Sequence, residues 1–230
     1  MNVFVIGAAG KVGSRLARLL TESGVQVTGM HRNLLQFEDV AATGATPLIG
    51  DLITDQVAKL ASWMTGHDAV VFTAGAHGTG IDQTSLIDGR GLEKAAAAAQ
   101  SAGVPRFVLV SALPEAGRDA ERGERFEHYL KVKKATEVHL IGTDLDWLIL
   151  RPGSLHDEPG SGLVAAGPAV LDAATSRDNV AAFIAAVLAE PLLSREIIEL
   201  TDGEASVADA VAGLTPGGRD GEAGRRLLIA

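Results

Sequence analysis

The 230-residue chain contains no cysteine and one tyrosine. Without cysteine there is no disulfide, no thiol nucleophile and no thiolate metal site. The six histidines show no HxxxH spacing, so no metal centre is expected. Positive charge is also short: 20 Lys and Arg against 29 Asp and Glu give a formal net charge of −9. Nucleic acids and anionic membranes both demand a concentrated basic footprint, so neither is an expected partner. A small-molecule substrate fits better. No apolar run approaches the roughly 20 residues that span a bilayer, and "VFVI" near the start is too short for a signal-peptide core. The chain therefore reads as cytoplasmic, acting as a monomer or homodimer.

What is present is a series of short apolar runs: "VFVI" at 3–6, "VQVTGM" at 25–30, "ATPLI" at 45–49, "AVVFTA" at 69–74, "RFVLVSA" at 106–112 and "WLIL" at 147–150. Runs that are apolar on both faces are what a parallel sheet covered by helices requires. Between the first two, Val12, Leu16, Leu19 and Leu20 share one helical face and Lys11, Arg15 and Arg18 the other. A second helix is expected over 84–102, whose alanine run at 95–99 suits close packing. Strand and helix alternating on this scale predict α/β architecture: a Rossmann-like, doubly wound, mostly parallel sheet in a single domain over 1–212. "GSLHDEPGSG" after "LRPG" reads as a flexible loop. A helix capped by Ser176, a late strand "EIIELT" and a short helix near 205–213 follow. From 213 to 230 a glycine-rich tail is expected, its "RRLLIA" end able to dock on the body or on a partner.

"GAAGKVG" at 7–13 sits between the first strand and the first helix, the context that gives glycine loops meaning. Gly7 turns the chain off the strand, Gly10 lets backbone approach a diphosphate at the helix N-terminus, and Gly13 lets the helix pack closely. With Ala9, Lys11 and Val12 these residues form the expected dinucleotide cradle. A tight turn without a ligand is the plainer alternative. At the end of the second strand a carboxylate holds a ribose 2′-hydroxyl, whereas an arginine holds a 2′-phosphate. "GMHRN" places His31 and Arg32 there and no acid before Glu38, which favours NADP over NAD. A solvated strand-end arginine is the other reading.

The glycine loop, "HRN", "GDL" at 50–52, "TAG" at 73–75, "LID" at 86–88, "VPRFVLVSA" at 104–112 and "LDWLILRPG" at 145–153 together resemble the atypical short-chain dehydrogenase/reductase group of NAD(P)H-binding, epimerase-like proteins. The resemblance covers about residues 1–210. It implies that Asp51 and Leu52 line the adenine site. It also implies that Thr73, Ala74, Gly75 and Ala76 pass behind the nicotinamide half, with Pro152 and Gly153 bordering it. Ile6 replaces the threonine that often precedes the loop. The section after 153 is too short for the larger substrate domain of sugar-nucleotide epimerases.

"HYLKVKK" holds Tyr129 and Lys133 four residues apart, hence on one face of a helix. A phenol of ordinary pKa about 10 becomes a useful proton donor near neutrality when a positive charge stabilises its ionised form. Lys133 is placed to do so and to hold a ribose. Ser111, at the C-terminal end of its strand, can hydrogen-bond the same carbonyl. Serine, tyrosine and lysine in this order match the catalytic set of the resembled superfamily, and Asp88 stands where other branches carry asparagine. The plain alternatives are a solvated lysine-rich helix face and a helix-surface carboxylate. Glu93 and Lys94 read as surface charges, Arg151 as an anchor, and His156, Asp157 and Glu158 as a polar loop near the substrate. "GRDAERGERFEH" at 117–128 reads as a solvated loop and helix start.

Two functions follow. One is an NADP(H)-dependent oxidoreductase acting on a small carbonyl or quinone-like substrate. The other is a non-catalytic NADP(H) sensor that signals redox state to a partner.

Overall fold

The computed structural model describes residues 1–76, 78–116 and 123–216. The tail beyond 216, and with it "RRLLIA", lies outside the described residues, as does most of the charged stretch before Glu124. The elements run β1 (Asn2–Ile6), α1 (Lys11–Glu22), β2 (Gln26–His31), a 3₁₀ turn (Leu34–Gln36), α2 (Phe37–Ala41), β3 (Thr46–Ile49), α3 (Val57–Met64), β4 (Ala69–Phe72) and α4 (Ile81–Thr84). A π-helical turn (Ser85–Gly91) leads into α5 (Leu92–Ala102) and β5 (Arg106–Val110). Then come α6 (Glu124–Ile141), β6 (Asp146–Pro152), β7 (Ser154–His156), β8 (Leu163–Gly167), β9 (Ala174–Ser176), α7 (Arg177–Leu188), β10 (Glu196–Asp202), β11 (Ala205–Ser206) and α8 (Val207–Leu214).

The nine-stranded sheet has the order β11-β8-β10-β6-β5-β4-β1-β2-β3. Pairing is parallel from β3 across to β10, and β8 and β11 close the other edge antiparallel. The chain order reverses between β1 and β4, which opens a crevice at the C-terminal strand ends where such sheets bind ligands.

Alternation along β1 divides the core. Val3 and Val5 pack with Leu16, Leu20, Phe183 and Ile184, under α1 and α7. Phe4 and Ile6 face the opposite layer with Leu60, Met64, Leu92 and Leu140. Both faces of β1 are thus dry, as expected of a parallel strand between helical layers. The alanine run is packing surface: Ala95, Ala96, Ala98 and Ala99 are each 0% exposed. At ~2–5 kcal/mol for truncating a buried leucine or methionine, the 0%-exposed Leu16, Leu60 and Met64 each hold a helix firmly to the sheet.

Three expectations need correction. The helix expected over 84–102 begins at Ile81 and carries the π turn at Ser85–Gly91, so one extra residue per turn re-aims the side chains there. The segment after "LRPG" is a strand, β7, paired in parallel with β9 from Ser154↔Ala174 to His156↔Ser176. Its remainder is also tied down, because Gly160 N donates to Asp178 and Gly162 N to Asn179. Lys94 is no surface charge: its ammonium donates to the carbonyls of Ile53 and Asp55 at 3.1 and 2.9 Å, pinning the loop after β3 to α5.

Candidate functional site

The crevice holds two joined clefts. The first, about 510 Å³, is lined by the glycine loop, the end of β2 and the loops after β3 and β4. Gly7 adopts φ +86°, and a Cβ there would stand 2.7 Å from Ala74 N, so glycine is required by both conformation and space. A Cβ on Gly13 would lie 2.3 Å from the Gly7 carbonyl oxygen and 2.8 Å from Thr73 Oγ1. Gly13 therefore closes α1 onto the loop itself, while Thr73 donates to the carbonyls of Ile6 and Gly7. No side chain caps α1 at Gly10, and no acid stands in its first turn. Its leading N–H groups and positive dipole end are left for an anion, an arrangement worth ~0.3–1 kcal/mol per charge at an exposed helix end. The glycine cradle fits a dinucleotide diphosphate.

Around this cleft Arg32 and Asn33 are exposed while His31 is buried, its Nδ1 2.9 Å from the Asn33 carbonyl. Asp51 uses one carboxylate oxygen to accept from Ile53 N at 2.8 Å. Leu52 is buried beneath, its Cβ within 3.2 Å of where a Cβ on Gly91 would stand. Asn33 and Gln36 were not singled out from sequence, yet both line the cleft. They cap the 3₁₀ turn reciprocally: Leu35 N donates to Asn33, and Asn33 N donates to Gln36. That N-x-x-Q pattern was the signal available.

Gly10, Lys11, Thr73, Ala74 and Gly75 also line the second cleft, about 410 Å³. Here the structure brings together Ser111, Tyr129, Lys133 and Asp88 with Val12 and Ala76. Asp88 is 1% and Lys133 5% exposed, so neither is a solvated helix-face charge. The π turn carries Asp88 inward, and Gly75 leaves room for it, since a Cβ there would meet the Asp88 carboxylate at 3.3 Å. One Asp88 oxygen accepts from Ala76 N at 2.9 Å, and the other lies 3.1 Å from Lys133 Nζ. Lys133 also donates to the Val110 carbonyl at 3.1 Å and lies 5.7 Å from the centre of the Tyr129 ring. Burial works against its charge, but Tyr129, Asp88 and Glu137 outweigh that, and its pKa rises above the ordinary lysine value. Lys133 is a fixed ammonium with one N–H to spare.

Sequence reasoning missed Glu137, although Tyr129, Lys133 and Glu137 follow one helical face at spacings of four. Buried Glu137 takes a double hydrogen bond from Arg151, at 3.0 and 2.6 Å. That bond, aided by Glu199, holds the Arg151 pKa above its usual value. Arg151 is thus an anchor, as expected. An ionised Glu137 can only accept, so Ser111 donates its proton to it at 2.6 Å and offers its oxygen elsewhere as an acceptor.

Pro152 and Gly153 line neither cleft; Leu155, two residues further on in β7, lines the second. Gly153 is held by its N–H to Leu200 O at 2.9 Å, and the Ala173 carbonyl fills the space a Cβ would take. Of the polar loop, His156 pairs with Asp202 at 2.8 Å. Asp157 pairs with Lys11 at 2.5 Å and Arg177 at 3.1 Å, bridging β7 to the first turn of α1. Among the described residues no His/Asp/Glu group is arranged to hold a metal, and no helix is long and apolar enough to cross a membrane.

A doubly wound sheet with a glycine cradle at its switch point defines a dinucleotide-binding protein of Rossmann type. The family model described as NAD(P)H-binding matches residues 7–191, and the chain belongs to that family. It is 36% identical to an uncharacterised sugar epimerase of Bacillus subtilis, over 92% of this chain and 99% of that one. It is 31% identical to a UPF0659 protein of Saccharomyces cerevisiae, over 88% and 94%. A solved structure from Bacillus halodurans, assigned provisionally to the NAD-dependent epimerase/dehydratases, superposes with a TM-score of 0.84 at 31% identity, covering 93% of this chain and all of that one. These likenesses support the atypical short-chain dehydrogenase/reductase assignment.

Proposed function

We propose that the protein is an NADPH-dependent reductase of small carbonyl or quinone-like compounds. The observation that carries this reading is the convergence of Tyr129, Lys133, Ser111 and Asp88 on a cleft continuous with the glycine cradle. A bound NADPH supplies the hydride. Tyr129 donates its phenolic proton to the carbonyl oxygen as the carbon is reduced, so carbonyl, hydride and proton become an alcohol. The Lys133 ammonium stabilises the phenolate left behind, and Asp88 with the Val110 carbonyl fixes that ammonium. Ser111, its proton engaged by Glu137, accepts from the product hydroxyl rather than donating to the carbonyl. Arg32, exposed at the ribose end, favours the 2′-phosphate of NADPH over the bare ribose of NADH.

A screen of NADPH oxidation against aldehydes, ketones, quinones and flavins tests the reading. Turnover with at least one carbonyl class is expected, and Tyr129→Phe is expected to remove it. Turnover that survives Tyr129→Phe places proton donation elsewhere. NADPH affinity without turnover on any class favours the sensor instead.

A further inference from the structure

The second cleft differs in charge from the rest of the chain. The protein carries −9, yet among the described residues this cleft is lined by Lys11, Arg125, Lys133 and Arg177 and by a single carboxylate, Asp88. Lys133 and Asp88 neutralise each other at 3.1 Å, and Lys11 pairs with Asp157 at 2.5 Å on the border with the glycine cradle. Among the described residues two guanidinium groups remain, and they line this cleft but not the first. Arg125 lies in the first turn of α6, is exposed, and meets no carboxylate among the described residues. Arg177 opens α7 and pairs at 3.1 Å with Asp157, whose own side chain is 45% exposed. Arg177 itself is only 17% exposed, but Asp157 is shared with Lys11 and Arg15, so one carboxylate faces three cations and the Arg177 charge can also meet an incoming anion.

The walls between these cations are apolar. Val12, Ala76, Val110 and Leu155 contribute aliphatic surface, and Phe126 stacks near-parallel on Tyr129, ring centres 6.0 Å apart and planes 30° apart. A flat ring offered to this surface gains both apolar burial and aromatic contact. A cationic cleft on an acidic protein concentrates anions and repels the cations that the remaining surface attracts.

We infer that the substrate is a carboxylate-bearing aromatic or other flat apolar carbonyl compound, its carboxylate held by Arg125 with Arg177 in support and its ring lying against Phe126. This rests on the reading of the two clefts as the cofactor and substrate halves of one site. A guanidinium binds a carboxylate through paired, charge-assisted hydrogen bonds, which a primary amide of the same shape cannot match.

The test is calorimetric titration of the NADPH-loaded protein with 2-naphthoate and with 2-naphthamide. Loading with NADPH keeps the probes off the diphosphate cradle. Naphthoate is expected to bind about tenfold or more tightly than the amide, the scale of one charge-assisted pair. Arg125→Ala is expected to bring the two within about twofold while NADPH affinity stays unchanged, and Arg125→Lys to keep part of the preference, because a single ammonium replaces the fork. Equal affinities, no binding of naphthoate, or a preference untouched in Arg125→Ala each overturns the inference. Failure of NADPH itself to bind is a separate result, and it removes the functional reading beneath.

Discussion

The two clefts share five residues and are built by opposite means. The first is made of backbone: glycines 7, 10 and 13, an uncapped helix end and exposed Arg32 at its rim. The second is made of buried ionic side chains, Lys133 on Asp88 and Glu137 under Arg151, with Ser111 and Tyr129 leaning on them. Backbone donors need no charged side chain and lose little when a neighbour changes. A buried ion pair is costly to bring out of water and punishes the loss of either partner. On the proposed function, binding and chemistry should therefore respond differently to mutation.

The largest effect is expected at Lys133. Lys133→Met strands the Asp88 carboxylate, and breaking a buried pair this way costs about 3–5 kcal/mol. Chemical denaturation reads that loss. The double change Lys133→Met with Asp88→Leu should recover most of the stability but none of the turnover, which separates the pair's structural contribution from its chemical one. A double mutant as unstable as the single would show that Ala76 N and the Val110 carbonyl, not the stranded charge, dominate.

Beneath the first cleft, where Gly13 closes α1 onto the glycine loop, the most severe change is Gly13→Ala. Its Cβ would press on a backbone carbonyl at 2.3 Å, which cannot swing aside. Overpacking of this kind costs about 1–3 kcal/mol. NADPH affinity is expected to drop with stability, since the loop must shift; unchanged affinity in fluorescence titration would mean that the cradle is not where the dinucleotide sits. Smaller and more selective is Arg32→Ala. It is expected to weaken NADPH by about tenfold, one charge-assisted contact of roughly 1.4 kcal/mol, and NADH hardly at all. Equal losses would remove the NADP preference.

The smallest effect concerns acid. Burial pushes the Asp202 carboxyl up, but bonds from Ser176 N, Asn179 and His156 push harder, and its pKa lies below the ordinary aspartate value. Asp178 is lowered too, first by the Gly160 N–H and then, against a burial penalty, by Arg15. A carboxyl depressed in the folded state stabilises above its unfolded pKa of about 3.9 and loses that contribution as pH falls through the folded value. The thermal midpoint should therefore decline below about pH 4, and Asp202→Asn should make the decline shallower.

Much of this was legible in the sequence, for physical reasons that differ by region. Strands buried on both faces, such as β1, β4 and β5, leave unmistakable apolar runs, and the run at 45–49 also marks the edge strand β3, although none of that strand's residues is buried. Ser176 announced α7 because a cap needs a hydroxyl, and it does accept from Asp178 N. The end of β6 and the segment after it were not legible. Gly153, Gly160 and Gly162 look like loop residues, but Gly153 and Gly160 are small because the Ala173 carbonyl and the α7 first turn press on them. The π turn at Asp88 leaves no period that a residue string reveals. Lys94 and Glu137 look like surface charges until the partners that hold them, the carbonyls of Ile53 and Asp55 and the Arg151 guanidinium, come from elsewhere in the chain.

The division of labour between the clefts is tested most directly by a crystal structure of the protein with NADPH. The expected result places the diphosphate over Gly7–Lys11, the 2′-phosphate at Arg32, and the nicotinamide in the second cleft beside Tyr129 and Lys133. A nicotinamide turned away from Tyr129, or a dinucleotide bound outside the glycine cradle, would contradict it.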